Sequence, residues 1–418
     1  MSEVLLNEIC ELIVDCPHST ANDEGKGFPL VRTPNIGKGR LIYSGMHRVS
    51  EEVYNKRNLR AVPQEGDLIF AREAIAGNVA LIQKGERVCL GQRTVLIRPN
   101  KNLVNPAFLT YFLLAPKQQY NLLSTANGAT VAHVNMPTIR NLKLELPPLL
   151  IQHRIATILS RYDTLIENYQ KQIKLLEEAA QRLYKEWFVD LRFPGYENAK
   201  MVDGLPEEWK KKKLVDLVDV QYGYAFDGML FNSEGEGMPI LRIRNIPDGV
   251  TSDFTTEEAS ANYIVHNGDI VVGMDGIFHI NSWSGGDAYL VQRACSFRPK
   301  EEGMKGFIFQ AIQEPIKFFE KTLVGATVAH LGKKHIDSIE LVVPENAKRF
   351  EQFHKLYDKR QGLLYQIRLL TEARDRLLPK LMGGEMEVDA PKGQRATSIE
   401  QRSGHNEQTT NAPKGQKH

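Results

Sequence analysis

The chain has 418 residues, 42% hydrophobic and 25% charged, the balance of a globular protein large enough for two or three domains. Its formal net charge of +2 gives no global attraction to phosphate, so any nucleic-acid contact has to come from a local patch. The four cysteines (Cys10, Cys16, Cys89, Cys295) form no CxxC pair, no stretch approaches the ~20 apolar residues of a membrane span, and no cationic leader precedes an apolar run, which together point to a reduced, cytoplasmic protein with no membrane partner.

From the N-terminus, strand-length apolar runs bounded by Gly, Pro and Asn come first: FPLVRTPNI, GDLIFAR, NVALIQ, RTVLIRP and LKLELPP. Between the last two, Pro106 to Leu123 has the pattern of one or two helices. After Pro148 the period changes from 2 to 3.5. Ile155, Leu159, Tyr162, Ile166, Tyr169, Ile173, Leu176, Ala180, Leu183 and Trp187 follow steps of four and three, a coiled-coil seam. Then the series starts again: MPILRIRNI, GDIVVGM, QRACSFRP, a helical stretch from Gly306 to Leu323, and IELVVP. A second heptad helix carries Phe353, Leu356, Leu363, Ile367, Leu370 and Leu377, with Arg360 and Arg374 in two seam positions and Pro379 as its expected stop.

The recurrence extends to the letters. QIKLLEEAAQRL (Gln172 to Leu183) returns as QIRLLTEARDRL (Gln366 to Leu377), identical at eight of twelve positions, and GATVAH occurs at 128–133 and again at 325–330. A unit of roughly 200 residues is too long for a solenoid repeat. The expected organisation is a domain over 1–150, a helix over 151–190, a second domain over 197–345, a second helix over 346–385, and a disordered polar tail over 386–418. The fold class is α/β (α+β): two similar domains with mixed, curved sheets, each followed by a long helix. A 3.5 period demands a helical partner, and the other copy's helix supplies one in an antiparallel pair, with Ile173 and Ile367 in a shared core.

Chemistry is hard to find. There is no P-loop, no dinucleotide-binding Gly turn and no HExxH. Pro147-Pro148 lies between leucines, unlike the loop with which amino-methyltransferases hold a flipped base, and Glu208-Trp209-Lys210 has no Pro-Asp partner at nuclease spacing. Asp15-Cys16-Pro17-His18 has the composition of a metal site but is one Cys and one His in a turn. The chain reads as non-catalytic, with no cofactor or metal of its own.

What remains is a set of polar residues on apolar frames. Arg32, Asn35, Lys38 and Arg40 end a strand and enter a Gly-rich loop, and Arg242, Arg244 and Asn245 match them in the second copy. Arg and Asn read guanine and adenine edges bidentately in the major groove, although charge also makes an ordinary strand edge soluble. The loops after the GD strands share a frame and differ at their tips, Arg72, Glu73 and Asn78 against Asp275, His279 and Asn281, as two sequence specificities would need. In GATVAH, Thr130 and His133, like Thr327 and His330, are candidates for DNA contact or for a structural turn, and Lys333 and Lys334 follow the second copy. The run Lys210 to Lys213 reads as a solvated segment.

Two variable domains alternating with two like helices, the GD and Gln-Arg landmarks, LPPLLIQHRIATILSRYDTLI leading into the central helix, DCPHST, RLLPKLMGGE and the DGIFHINSW loop together resemble the specificity subunits of type I restriction-modification systems. The resemblance covers everything but the tail. It implies two target-recognition domains, each reading half of a bipartite site in double-stranded DNA. It also implies a coiled coil that docks two modification (methyltransferase) subunits, with Ile166, Ile173, Leu176, Leu183, Leu363, Ile367, Leu370 and Leu377 as subunit-interface residues. A restriction/translocase subunit would join them. S-adenosylmethionine, ATP and magnesium would belong to the partners. Arg360 and Arg374, unusual in a two-helix core, would face those partners. The competing reading is a non-catalytic coiled-coil scaffold whose repeated domains bind protein.

Overall fold

The computed structural model describes residues 3–124, 133–301, 303–323, 329–386 and 388. The chain divides into two units: residues up to Thr157 together with those from Leu378 onward, and Ile158–Leu377.

In the first unit, Cys10–Asp15, Thr94–Pro99, Leu68–Ala71 and Val79–Leu81 form, in that order, an antiparallel four-stranded sheet. A smaller sheet pairs Phe28–Val31 antiparallel with His47–Val49 and parallel with Cys89–Leu90. All of Leu68–Ala71 is buried, so the strand is covered on both faces and reads as an unbroken apolar run rather than an alternation. Pro106–Leu114 and Pro116–Leu123 are two helices, because Pro116 forces Ala115 out of the helical region (ψ 144°).

The second unit repeats the scheme. Its four-stranded antiparallel sheet runs Val218–Tyr222, Ala294–Pro299, Ile270–Gly273, Ile280–Ser282, and Met238–Leu241 pairs parallel with Ala288–Leu290 in a second sheet of five short strands. Among the described strands, parallel ladders occur only in this second sheet of each unit. The lysines of 210–213 are exposed along Trp209–Lys213, a strand paired with Glu340–Pro344. Both GD landmarks are turn locks. Gly66 and Gly268 sit at φ +93° and +83°, where a Cβ is strained, and the following aspartate is buried. Asp67 accepts two bonds from Arg98 (2.9 and 2.8 Å), and Asp269 accepts one from Arg298 at 3.3 Å.

Two long helices, Leu149–Tyr184 and Glu351–Met382, carry the heptads. Within the second unit every seam residue from Leu159 to Trp187 is at least half-buried, and so are those from Phe353 to Leu377. Asp163 pairs with Arg374 at 2.7 Å and Glu177 with Arg360 at 2.6 Å. The crossed order makes the helices antiparallel. Ile173 and Ile367 both lie on the seam, the first buried and the second half-buried. The two arginines do not face outward as expected: each is neutralised by an acid on the facing helix.

Pro379 does not stop the second helix, which continues to Met382. A proline this near the end removes one backbone bond, and burial of Leu381 in the first unit holds the last turn. Pro379, Leu381 and Met382 line a cavity of about 510 Å³ with Phe112, Ile151 and Ile155. The repeat equivalents of Leu381 and Met382 are Trp187 and Phe188, which fill the core of the second unit, Phe188 lying 4.9 Å from Phe307 and 5.0 Å from Trp209.

Candidate nucleic-acid interface

The loop leaving the central strand of each unit meets two distant segments in the same way. In the first unit Arg72 N donates to Arg93 O (2.9 Å), and Val134 N donates to Arg72 O (3.0 Å). In the second, Met274 N donates to Arg293 O (2.8 Å), and Leu331 N donates to Met274 O (2.7 Å). On these frames sit matching side chains. Glu73 bridges Arg93 Nε (2.7 Å) and His133 Nδ1 (2.6 Å), while Asp275 bridges Arg293 Nη1 (2.9 Å) and His330 Nδ1 (2.5 Å). The carboxylates are mostly covered, at 18% and 16% side-chain exposure, whereas Arg93 and Arg293 are 61% and 68% exposed. Each unit thus presents an outward guanidinium and an imidazole on a sunken carboxylate.

The copies differ in one respect. In the first, Arg72 Nη2 donates to His133 Nε2 at 2.9 Å, so that imidazole must carry its proton on Nδ1 and donate it to Glu73. Met274 takes the place of Arg72 in the second copy, leaving His330 more exposed.

Most of the residues with base-reading side chains are occupied internally. The Asn35 side chain accepts from Arg32 N (3.2 Å) and donates to Ile42 O (3.1 Å), and Asn245 accepts from Arg242 N (2.9 Å). These are matched turn closures. Asn78 donates to Ile36 O at 2.8 Å, and Asn281 to Ile246 O and Pro247 O at 2.9 Å each, while the Asn281 oxygen accepts from Arg360 Nη2 (2.9 Å). In all four asparagines the amide is thus engaged with groups of its own unit, mostly backbone carbonyls and amides that need partners at strand ends.

Arg72 is likewise internal, its Nε donating to Val134 O. Arg244 is committed to Asp253 by two bonds, 3.1 and 2.5 Å. Burial alone would raise the Asp253 carboxyl, but the Arg244 guanidinium, with Asn245 and Arg242 beside it, holds it below its ordinary 3.8. Arg242 is half-buried with its guanidinium 5.3 Å from the Phe231 ring centroid, and Arg32 donates to Gly45 O (3.2 Å). Arg40 donates to Gly39 O, Lys38 and Lys334 are exposed, Lys333 pairs with Asp337 (2.8 Å), and His279 is half-buried in the loop. Thr130 and Thr327, and the tail beyond 388, lie outside the described residues.

Glu73 belongs to the loop tips the sequence singles out, but Arg93 and Arg293 do not stand out as contact residues. The available signal was the repeated Gln-Arg pair. Among the described residues no group of three or more His, Cys, Asp or Glu is placed to hold a metal, and no helix is long and apolar enough to cross a membrane.

The duplicated architecture has a counterpart among known proteins. The family model for the type I restriction modification DNA specificity domain matches residues 1–178 and again 206–368, and the chain belongs to this family. It is 25% identical over 391 residues to the type I restriction enzyme MjaIX specificity subunit of Methanocaldococcus jannaschii, covering 87% of this chain and 88% of that one. The MjaVIII specificity subunit of the same organism is 27% identical over 356 residues, 79% and 81% of the two chains. The crystal structure of a type I restriction-modification S subunit from M. genitalium shares the fold, with a TM-score of 0.52 at 16% identity over 91% of this chain and 95% of that one. The chain is accordingly a specificity subunit with two target-recognition domains, and such subunits bind DNA and work with modification and restriction subunits.

Proposed function

We propose that each unit reads one half of a bipartite duplex site, and that two modification subunits and a restriction/translocase subunit assemble on the chain. The chain itself catalyses no step; S-adenosylmethionine, ATP and magnesium are held by the partners, which methylate adenines in both half-sites or translocate and cut DNA in the cytoplasm. The observation that carries the reading is the same outward cation on the same frame in both units, a duplicated surface suited to a duplicated target.

The eight heptad residues assigned to the subunit interface lie in the seam between the chain's own helices. Docking falls instead to the outer faces, where Leu165, Leu175, Tyr365 and Leu369 stand exposed. Mapping methylated adenines genome-wide in a host with and without the chain tests the proposal. Paired marks that flank a constant gap and vanish with the chain are expected. An unchanged methylation map overturns it, and DNA affinity indifferent to salt would favour the protein-binding scaffold.

A further inference from the structure

The geometry points to Arg93 and Arg293 as a matched pair of phosphate contacts, one for each half-site, held in position by Glu73 and Asp275. This inference rests on the DNA-recognition reading above.

Three observations carry it. Both arginines sit in the left-handed region, at φ 64° and 69°, where glycine would be unstrained. A strained conformation kept for the same charged residue at matching places in two units marks a side chain whose position matters. Each guanidinium is fastened at one nitrogen, Nε in Arg93 and Nη1 in Arg293, to a carboxylate beneath it. Most of both side chains faces solvent, so a cation with little freedom left to lose is offered to an incoming anion. The carboxylates partly neutralise the site, which limits it to about one phosphate per arginine.

The third observation decides between base and backbone. The tips of the loops, Phe70 to Ile82 against Val272 to Trp283, differ between the copies, whereas the arginine, its acid and the imidazole recur. Two domains that read different sequences need different base contacts. What they share should touch what all sequences share, the sugar-phosphate backbone. With a net charge of only +2, attraction to phosphate has to come from local cations such as these.

The test uses the full chain, a short duplex of arbitrary sequence, and affinity measured over a series of salt concentrations. Arg93→Gln and Arg293→Gln keep a donor for the acid and remove the charge. Each is expected to lower the slope of log affinity against log salt by about 0.9, and the double variant by about twice that. Arg93→Lys and Arg293→Lys, which keep the charge, are expected to keep the slope, and they carry the test if the Gln variants do not fold. A double Gln variant that melts like the parent and keeps the parent's slope overturns the inference, and so do folded Lys variants with a lowered slope. If the unaltered chain binds the duplex with no salt dependence, the DNA-recognition reading fails, an outcome distinct from failure of the arginine pair alone.

Discussion

Asp163 of the central helix and Arg374 of the C-terminal helix form an ion pair at 2.7 Å in which the carboxylate side chain is only 4% exposed. Fourteen residues away on each helix, in opposite directions, Glu177 and Arg360 form a second pair, in which the arginine is the covered partner. Two heptads on both strands fix register and polarity together, because a slip by one layer would leave a covered carboxylate without its cation. Arg374→Leu is therefore expected to cost about 3–5 kcal/mol, while Asp163→Leu together with Arg374→Leu recovers most of that. A double-mutant cycle by denaturant unfolding measures the coupling, and additive single effects would remove this pair from the account of register.

Ile173 is buried in the seam. Ile173→Asp places an unpaired carboxylate there, and a loss of several kcal/mol is expected, with a lower melting temperature for the second unit. Binding of the modification subunits should fall with it, since the outer faces exist only on a paired helix. A variant that melts normally and assembles normally would show that the heptads do not hold the two helices together.

The Arg244–Asp253 pair predicts a pH dependence. A carboxyl held below its ordinary value contributes stability that is present above that value and lost as the pH falls through the folded-state value. Arg244→Ala should hence destabilise the second unit at neutral pH, and the difference from the parent should shrink as the pH falls below about 4. DNA affinity should keep its salt slope in this variant. A destabilisation independent of pH would show that the pair with Asp253 is not its source, and a lowered slope would make Arg244 a DNA contact.

The elements legible in the sequence were those whose cause is local or periodic. Leu68–Ala71 and Ile270–Gly273 are unbroken apolar runs because both faces are covered, and the seam shows itself because 3.5-residue spacing has no other physical reading. Polar roles were not legible in this way. A letter does not say whether Asn281 points at a base or at the carbonyls of Ile246 and Pro247, and both uses favour asparagine at a strand end. Arg360 looked exceptional for a core because its acid, Glu177, lies on a helix nearly two hundred residues earlier in the chain. Shorter separations, of 20 and 60 residues, hide the His133–Glu73–Arg93 constellation, whose members meet only once the sheet is folded.

Exchange of one domain for that of a relative tests modularity, and the fold dictates how to make the exchange. The first unit contains the last described turn of the C-terminal helix as well as the N-terminal domain: Leu381 is buried there, and Pro379, Leu381, Met382 and Val388 border the cavity formed by Phe112, Pro147, Ile151 and Ile155. Replacing residues 1–150 alone puts Leu381 against foreign walls. Misfit of one buried leucine costs about 2–5 kcal/mol if its contacts are lost. Replacing 1–150 together with 378–388 keeps those partners matched. The first chimera should melt several degrees below the second, with the deficit confined to the first unit. Both should change one half of the methylated site and leave the other half as it was. A change in both halves would show that the two units do not read independently, and equal melting of the two chimeras would show that the last helical turn contributes nothing to the first unit.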